Sequence, residues 1–324
     1  MIIGAGLAGM IAAYAFPTHE LWESRSREHV EHQALLRFRT PAISDITGIP
    51  FQKVTVHKGI WWNGGWVSPT IDACNMYSMK VIGRLADRSV WDIAPCVRWV
   101  PPHDFHTRLC DALGNRVHWN SPVSFLEMTK HTGHDDFIIS TIPLPVMAKG
   151  MLGFEHEFHS AKIITTSAEV PNSGVYQTVY FPSDAYGLYR ATLAGTQLTC
   201  EWTGDESAAT GDVDLACRDV AEAFGYEPLF DAVSQSLGNF HTQTFGKLLP
   251  IDENLRKTLV SQLTQRCGIY SLGRFATWRN ILLDDVIHDA AVIKRLASAS
   301  FYERQIAAVA PATKEDSNAY DVSD

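Results

Sequence analysis

The sequence predicts an α/β protein in which a parallel sheet, gathered from separate parts of the chain, carries an inserted region of antiparallel strands. Three observations predict it. A short apolar strand runs into a turn with glycines at positions 4, 6 and 9, and then into an Ala-rich helix. A fully apolar run around residue 138 ends in small polar residues and proline, as central parallel strands do. Between about residues 151 and 245 the pattern changes to short β-rich runs separated by turns.

The opening stretch, Ile2-Ile3-Gly4-Ala5-Gly6-Leu7-Ala8-Gly9, has the strand, glycine turn and helix order of a dinucleotide fingerprint, which makes the parallel part Rossmann-like. Gly4 takes the tight turn, Gly6 lets a pyrophosphate approach the main chain, and Gly9 packs the helix on the strand. The helix N-terminus around Leu7 and Ala8 then holds the phosphates. His19-Glu20-Leu21-Trp22-Glu23 reads as the second strand. Glu23 closes it at about the 20-residue distance where a carboxylate accepts ribose hydroxyls. Arg25, in the charged passage that follows, is a candidate for the adenosine end.

In the segment from Ala34 to Thr40, Arg37 and Arg39 share one face of an extended chain, as cleft cations or as surface charge. Strand alternation through the run from Thr47 to Trp66 puts Lys53, Thr55 and His57 on one face and Val54, Val56 and Lys58 on the other. Trp61, Trp62 and Trp66 either wall a flat cofactor or substrate or form ordinary core. Helices are expected from Ile71 to Leu85 and from Phe105 to Leu113, the latter closed by Gly114, with a short strand at Val117 to Asn120. The run Asp135 to Pro145 is a central strand delivering Thr141 to the cofactor edge. Runs at 162–166, 175–181, 187–192 and 197–202 form the inserted antiparallel sheet, followed by a helix from Asp214 to Phe224. These readings divide the chain into a dinucleotide-binding domain (1–50, 100–150 and 246–310), a substrate-binding region (51–99 and 151–245) and a polar, acidic tail (311–324).

A formal charge of -9 and a pI near 5.8 argue against broad nucleic-acid binding, though a local basic groove is compatible with them. The six cysteines are scattered, with no C-x-x-C pair and no zinc-like spacing, so reduced thiols in a cytoplasm-like compartment and no structural metal are expected. No run reaches the roughly 18 to 20 apolar residues that span a bilayer, and no basic segment precedes the apolar start. A cytoplasmic protein follows from these readings. The oligomeric state is not set by them.

Near the other end, Ile269-Tyr270-Ser271-Leu272-Gly273-Arg274 leads a strand into a Gly-Arg turn, and Asp284 or Asp285 stands where it caps a following helix. Residues 269–287 resemble the C-terminal flavin motif of UDP-galactopyranose mutases and, more loosely, of amine-oxidase and protoporphyrinogen-oxidase flavoproteins. Ile139 to Pro143 is similar to the strand by which those proteins rejoin their FAD domain. The resemblance implies FAD as cofactor, with Arg274 neutralising phosphate charge and the amides around Asp285 and Val286 favouring negative charge at the flavin pyrimidine edge. It covers the two ends and the middle strand and is weak through the substrate region. The chain also resembles compact FAD proteins of tailed bacteriophages, some of which belong to thymine-hypermodification gene sets.

The implied reaction is oxidation of a C-N bond in an amine or amino-acid adduct, with an aminoacyl-modified thymine in phage DNA as the most specific substrate and the host cytoplasm as its setting. Trp61, Trp62, Tyr186 and Tyr189 are candidates for an aromatic wall, and Lys53, His57 or Lys247 for the polar function. Arg37, Arg39, Lys53, Lys58 and Arg190 are candidates for a DNA-contacting cleft. The alternatives are mutase chemistry on a nucleotide sugar, whose expected His-rich loop is missing, and a non-catalytic FAD-binding protein.

Overall fold

The structure is a computed structural model that describes residues 1–29, 35–130, 137–171, 173–204 and 212–298. Ala34, Asp135, Asp136, the end of the predicted cofactor domain from residue 299 and the predicted tail lie outside the described residues. Two compact units emerge. The first takes Met1–Gln52, Trp99–Phe158 and the chain from Pro250 on; the second takes Lys53–Arg98 and His159–Leu249.

In chain order, the first unit opens with β1 (Ile2–Ile3), α1 (Leu7–Ala15), β2 (Leu21–Trp22) and α2 (Ala42–Thr47). The chain then forms the hairpin of β3 (Gln52–Trp62) and β4 (Gly65–Val67), turned by Asn63-Gly64, and helix α3 (Ile71–Ile82). After β5 (Cys96–Val100) come α4 (Phe105–Leu113), β6 (Val117–His118), α5 (Phe125–Lys130), β7 (Ile138–Ser140) and α6 (Leu144–Leu152). The second unit resumes with β8 (Ser160–Glu169), β9 (Tyr176–Tyr180), β10 (Leu188–Ala194), β11 (Gln197–Thr203), α7 (Val213–Phe224), α8 (Leu229–Ser236) and β12 (His241–Leu248). The first is completed by α9 (Glu253–Cys267), β13 (Ile269–Ser271), α10 (Arg274–Thr277) and α11 (Leu283–Ser298).

The sheet of the first unit has the order β13-β7-β1-β2-β6, parallel throughout. Its strands are short, and β1, β7 and β13 are buried along their whole length, which is why they read as unbroken apolar runs. Helix α1 is apolar on almost every face and lies in the core with Phe38, Phe105, Ile139, Val286 and Ile293. All five strands point their carboxyl ends at one edge, the edge where open parallel sheets bind ligands.

The second unit has the strand order β12-β8-β11-β10-β9-β3-β4. Helix α3 covers Ile60, Tyr180 and Tyr189 on one face, while α7 and α8 pack against Trp61, Val179, Cys200 and Trp202 on the other. The alternation expected along β3 holds: Lys53, Thr55 and His57 are exposed, Val54 and Val56 buried. The sheet departs from the purely antiparallel expectation at one pair, because β3 lies parallel to β9. More than a hundred residues of chain separate these strands, so no tight hairpin forces them antiparallel. No helix among the described residues is long and apolar enough to cross a membrane. All six cysteines are free.

Candidate functional site

The carboxyl edge of the first unit's sheet is built around the Gly4–Gly9 turn. A Cβ on Gly9 would stand 1.8 Å from the Gly4 carbonyl oxygen, so α1 and the turn meet backbone to backbone. Gly4 has φ +97°, and Thr141, just past β7, donates its hydroxyl to the carbonyls of Ile3 at 3.0 Å and Gly4 at 3.2 Å. A Cβ on Gly6 would meet nothing within 4 Å, leaving that side of the turn open. Gly6 is also the N-cap of α1 and supplies no side-chain cap, so an anion approaching the first-turn amides of Leu7, Ala8 and Gly9 has no cap to displace.

Glu23 stands at the end of β2 and is 5% exposed. Its Oε2 accepts from the Ala5 amide at 2.9 Å, while Oε1 accepts from the Arg25 amide at 3.0 Å, the Arg25 Nε at 3.2 Å and the Ser24 hydroxyl at 3.3 Å. Burial works against the charge, but the two amides and the Arg25 guanidinium outweigh it and hold the carboxyl below its ordinary range. Oε2 keeps room for a second donor, such as a ribose hydroxyl. These features fit a dinucleotide: an open, uncapped helix end for a diphosphate and a buried carboxylate for the sugar.

The C-terminal motif reaches the same edge. Leu272 donates to the Ser140 carbonyl at 2.9 Å, extending β13 along β7, and Gly273 follows with φ +90°. A Cβ on Gly273 would come within 2.9 Å of the Ala8 Cβ, so glycine is what lets this turn sit on the start of α1. Arg274 extends an Nη2 to the Asn280 Oδ1 at 3.3 Å. Trp278, with φ +48° and 2% exposure, is held edge-on by Phe158 at 5.0 Å. Gly4, Gly6, Leu7, Ala8, Gly9, Thr141 and Gly273, distant in sequence, therefore meet.

The helix after this motif departs from expectation in two ways. First, α11 starts at Leu283, so Asp284 and Asp285 lie inside its first turn; Asp285 Oδ2 reaches back to the Leu282 amide at 2.9 Å instead of capping from ahead. Second, Asp284 Oδ1 accepts from the amides of Arg39 at 3.0 Å and Thr40 at 3.2 Å, and Arg39 pairs with Asp285 at 2.5 Å. These two carboxylates already offset the positive end of the helix dipole that was expected to favour a negative ligand charge. Burial, above all, raises the Asp284 carboxyl. The Val286 side chain is core, so what it can offer a ligand is its amide, the group the expectation named.

The candidates for the reaction itself fall in the second unit. Lys53 and His57 are exposed on one face of β3, and Trp62 is half-buried at its end. Tyr189 is fully buried against the Tyr77 ring, so it presents no wall to a substrate. Trp61 and Tyr186 also belong to the core: the indole Nε1 donates to Asp219 Oδ1 at 3.1 Å and the Tyr186 hydroxyl to Asp219 Oδ2 at 2.5 Å. Lys80, nearby, donates to the carbonyls of Phe181, Ser183 and Leu188, and burial pushes its ammonium down to about 7. Three of the candidates for a DNA-contacting cleft have partners within their own unit. Arg39 is committed to the two aspartates, Lys58 donates to the Asp92 carbonyl at 3.3 Å, and Arg190 grips Glu201 through Nε at 2.5 Å and Nη2 at 2.7 Å.

Lys247 on β12 adds its charge to the Arg190–Glu201 pair. Burial opposes ionisation of Glu201, but Arg190 and then Lys247 prevail and hold it near 2. Because the folded value lies below the unfolded one, this stability is complete above the ordinary Glu range of about 4.3 and drains as pH falls toward 2. Acid titration followed by circular dichroism is expected to show the wild type losing stability over that window, with Glu201→Gln flattening the slope; an unchanged slope would contradict the pairing.

Asp219 was not flagged by the sequence, although the signal is present: it shares the apolar stripe of α7 with Ala216, Val220 and Ala223. A carboxylate on such a stripe needs buried partners.

No protein-family model matches the sequence, and no curated protein matches it. Among solved structures, reduced UDP-galactopyranose mutase is similar at 16% identity with a TM-score of 0.59, over 91% of this chain and 93% of that one. PqsL of Pseudomonas aeruginosa, a probable FAD-dependent monooxygenase, is similar at 11% identity and TM-score 0.54, over 95% and 89%. The 2,6-dihydroxypyridine-3-hydroxylase of Arthrobacter nicotinovorans gives 9% identity and TM-score 0.54, over 95% and 86%. The chain has the mixed α/β fold, a parallel sheet with a separate, largely antiparallel one, that these enzymes share.

Proposed function

We propose that this chain is an FAD-dependent oxidoreductase that oxidises the C-N bond of an amine-bearing small molecule. The observation that carries the cofactor is the packing of Gly273 on Ala8, which joins the C-terminal motif to an open, uncapped glycine turn. In this reading the α1 amides and Arg274 hold the diphosphate and Glu23 Oε2 takes a ribose hydroxyl. Bound FAD supplies the hydride acceptor.

In this reading His57, exposed on β3, accepts the substrate ammonium proton at a ring nitrogen, Lys53 beside it on the same face orients the substrate's polar groups, and Trp62 shields the resulting amine. The net charge of -9 favours a cationic substrate over a polyanion. The commitments of Arg39, Lys58 and Arg190 favour a free amine over an aminoacyl-thymine in DNA. Resemblance of residues 269–287 to the mutase motif supports the second reading, rearrangement of a nucleotide sugar by reduced flavin.

Mass spectrometry of small molecules released from the purified protein is expected to find FAD; no flavin at all would overturn the common premise. Anaerobic mixing with amines is then expected to bleach the yellow protein, with colour returning on admission of air. Turnover of a UDP-sugar only after dithionite reduction would overturn amine oxidation in favour of the mutase reading.

A further inference from the structure

The sheet of the second unit has two unlike faces. Toward α7 and α8 it turns a core face that includes Ile164, Val179, Leu198 and Trp202. On the other, α3 packs over Ile60, Tyr180 and Tyr189 at one end. Beyond that end the strand register sets polar residues side by side. Thr165 of β8, Glu201 of β11 and Arg190 of β10 form one row, and Thr199, Thr192 and Thr178 of β11, β10 and β9 form the next. Residues paired across strands in this way share a face.

An antiparallel sheet commonly gives its polar face to water. These threonines are not solvated in that way: Thr165, Thr178, Thr192 and Thr199 are between 3% and 5% exposed. Thr178 and Thr192 meet hydroxyl to hydroxyl at 3.3 Å, and Thr165 donates to the His241 carbonyl at 3.3 Å. Among them stands the Arg190–Glu201 pair, whose side chains keep 21% and 18% exposure. Glu201 takes the Nε and Nη2 of Arg190, which holds the guanidinium in one plane. Nη1 has no hydrogen-bond partner among the described residues, so the Nη1–Nη2 edge still offers parallel N–H donors.

An ion pair in the middle of a buried face is a poor source of stability, because desolvation consumes most of what the attraction returns. The same arrangement suits an anion. Glu201 is ionised, and both Arg190 and Lys247 bear on it, so two cations answer one carboxylate in a chain of net charge -9. That excess of one positive charge matches a monoanion, whereas a dianion would leave buried negative charge uncompensated. A flat donor edge matches the two oxygens of a carboxylate.

We propose that this face of the second unit is a binding site for a small monocarboxylate, received by the Nη1–Nη2 edge of Arg190 over the floor of threonines. Glu201 is the positioning residue that fixes the guanidinium. The site rests neither on flavin nor on His57 and Lys53: the register sets Lys58 beside Thr178 and His57 beside Gln177, so His57 and Lys53 belong to the opposite face.

The test is a ligand-observed NMR titration of the full-length protein with acetate, propionate and benzoate, and with the amides of the same acids. At least one carboxylate is expected to bind about tenfold more tightly than its amide, the margin of a charge-assisted over a neutral hydrogen bond. Arg190→Gln combined with Glu201→Gln keeps a neutral hydrogen-bonding pair and is expected to abolish that preference. If this variant does not fold, Arg190→Lys, which keeps the charge but loses the planar edge, is expected to weaken carboxylate binding about tenfold. No carboxylate binding up to roughly 100 mM, or equal binding of acids and amides, overturns the inference. So does a preference that survives in the double variant, or unchanged binding in Arg190→Lys, because the carboxylate then sits elsewhere. None of these outcomes bears on whether the protein holds FAD, which the released flavin reports separately.

Discussion

Gly9→Ala is expected to destabilise the first unit by about 3 kcal/mol or more and to yield protein without bound flavin. Alanine is the better helix former by about 1 kcal/mol, so any loss must come from contact. The added methyl carbon would sit 1.8 Å from the Gly4 carbonyl oxygen and 3.4 Å from Leu21 Cδ1. Neither obstacle is the end of a flexible chain, since the first is backbone and the second core. Either α1 lifts from β1 or the turn opens, and both remove packing that the unit's core needs. Gly6→Ala is the matched control. Its Cβ meets nothing within 4 Å and its φ of -67° suits any residue, so the fold is expected to survive while the methyl stands where the diphosphate approaches. Urea denaturation and the flavin absorbance of purified protein separate the two variants. A Gly9→Ala midpoint equal to wild type would contradict the backbone contact.

Asp219→Ala is expected to cost the second unit about 3 to 4 kcal/mol. The carboxylate is 7% exposed and accepts from two other buried groups, the Trp61 indole and the Tyr186 hydroxyl. Truncation leaves both donors buried without a partner, at about 1 to 3 kcal/mol each, and removes the anion whose field supports the Lys80 ammonium. Asp219→Asn restores one acceptor oxygen and is expected to recover about half the loss. Denaturation monitored by Trp fluorescence reads both variants, and an Ala variant within 1 kcal/mol of wild type would mean that water satisfies the freed donors.

What was legible in the sequence is what constrains the backbone. Gly4, Gly9 and Gly273 each occupy positions where a Cβ has no room, and a residue type with no substitute is readable without a structure. The strand at 138–140 was readable because burial on both faces removes every polar residue from it. Partners were not legible. Arg39 and Arg190 looked like cleft cations because a sequence gives charge but not the carboxylate that answers it; Asp285 is some 246 positions from Arg39. Tyr189 and Trp61 looked like walls because the aromatic content of a binding site and of a core is the same. Helix α9 went unread because its face toward the core is narrow, with only Leu259 and Leu263 buried.

The place of β13 in the sheet has a consequence for how the protein comes into being. β1 pairs with β7, about 137 residues away, and β7 with β13, about 131 further on. During synthesis, the strands of the second unit from β8 to β12 can join as neighbours while the first unit still lacks its last strand. Such long-range parallel pairing is slow, because the loops must close before any contact repays them. The glycine fingerprint therefore leaves the ribosome well before the strand that completes its sheet: it waits as a half-built turn until Gly273 arrives to close it.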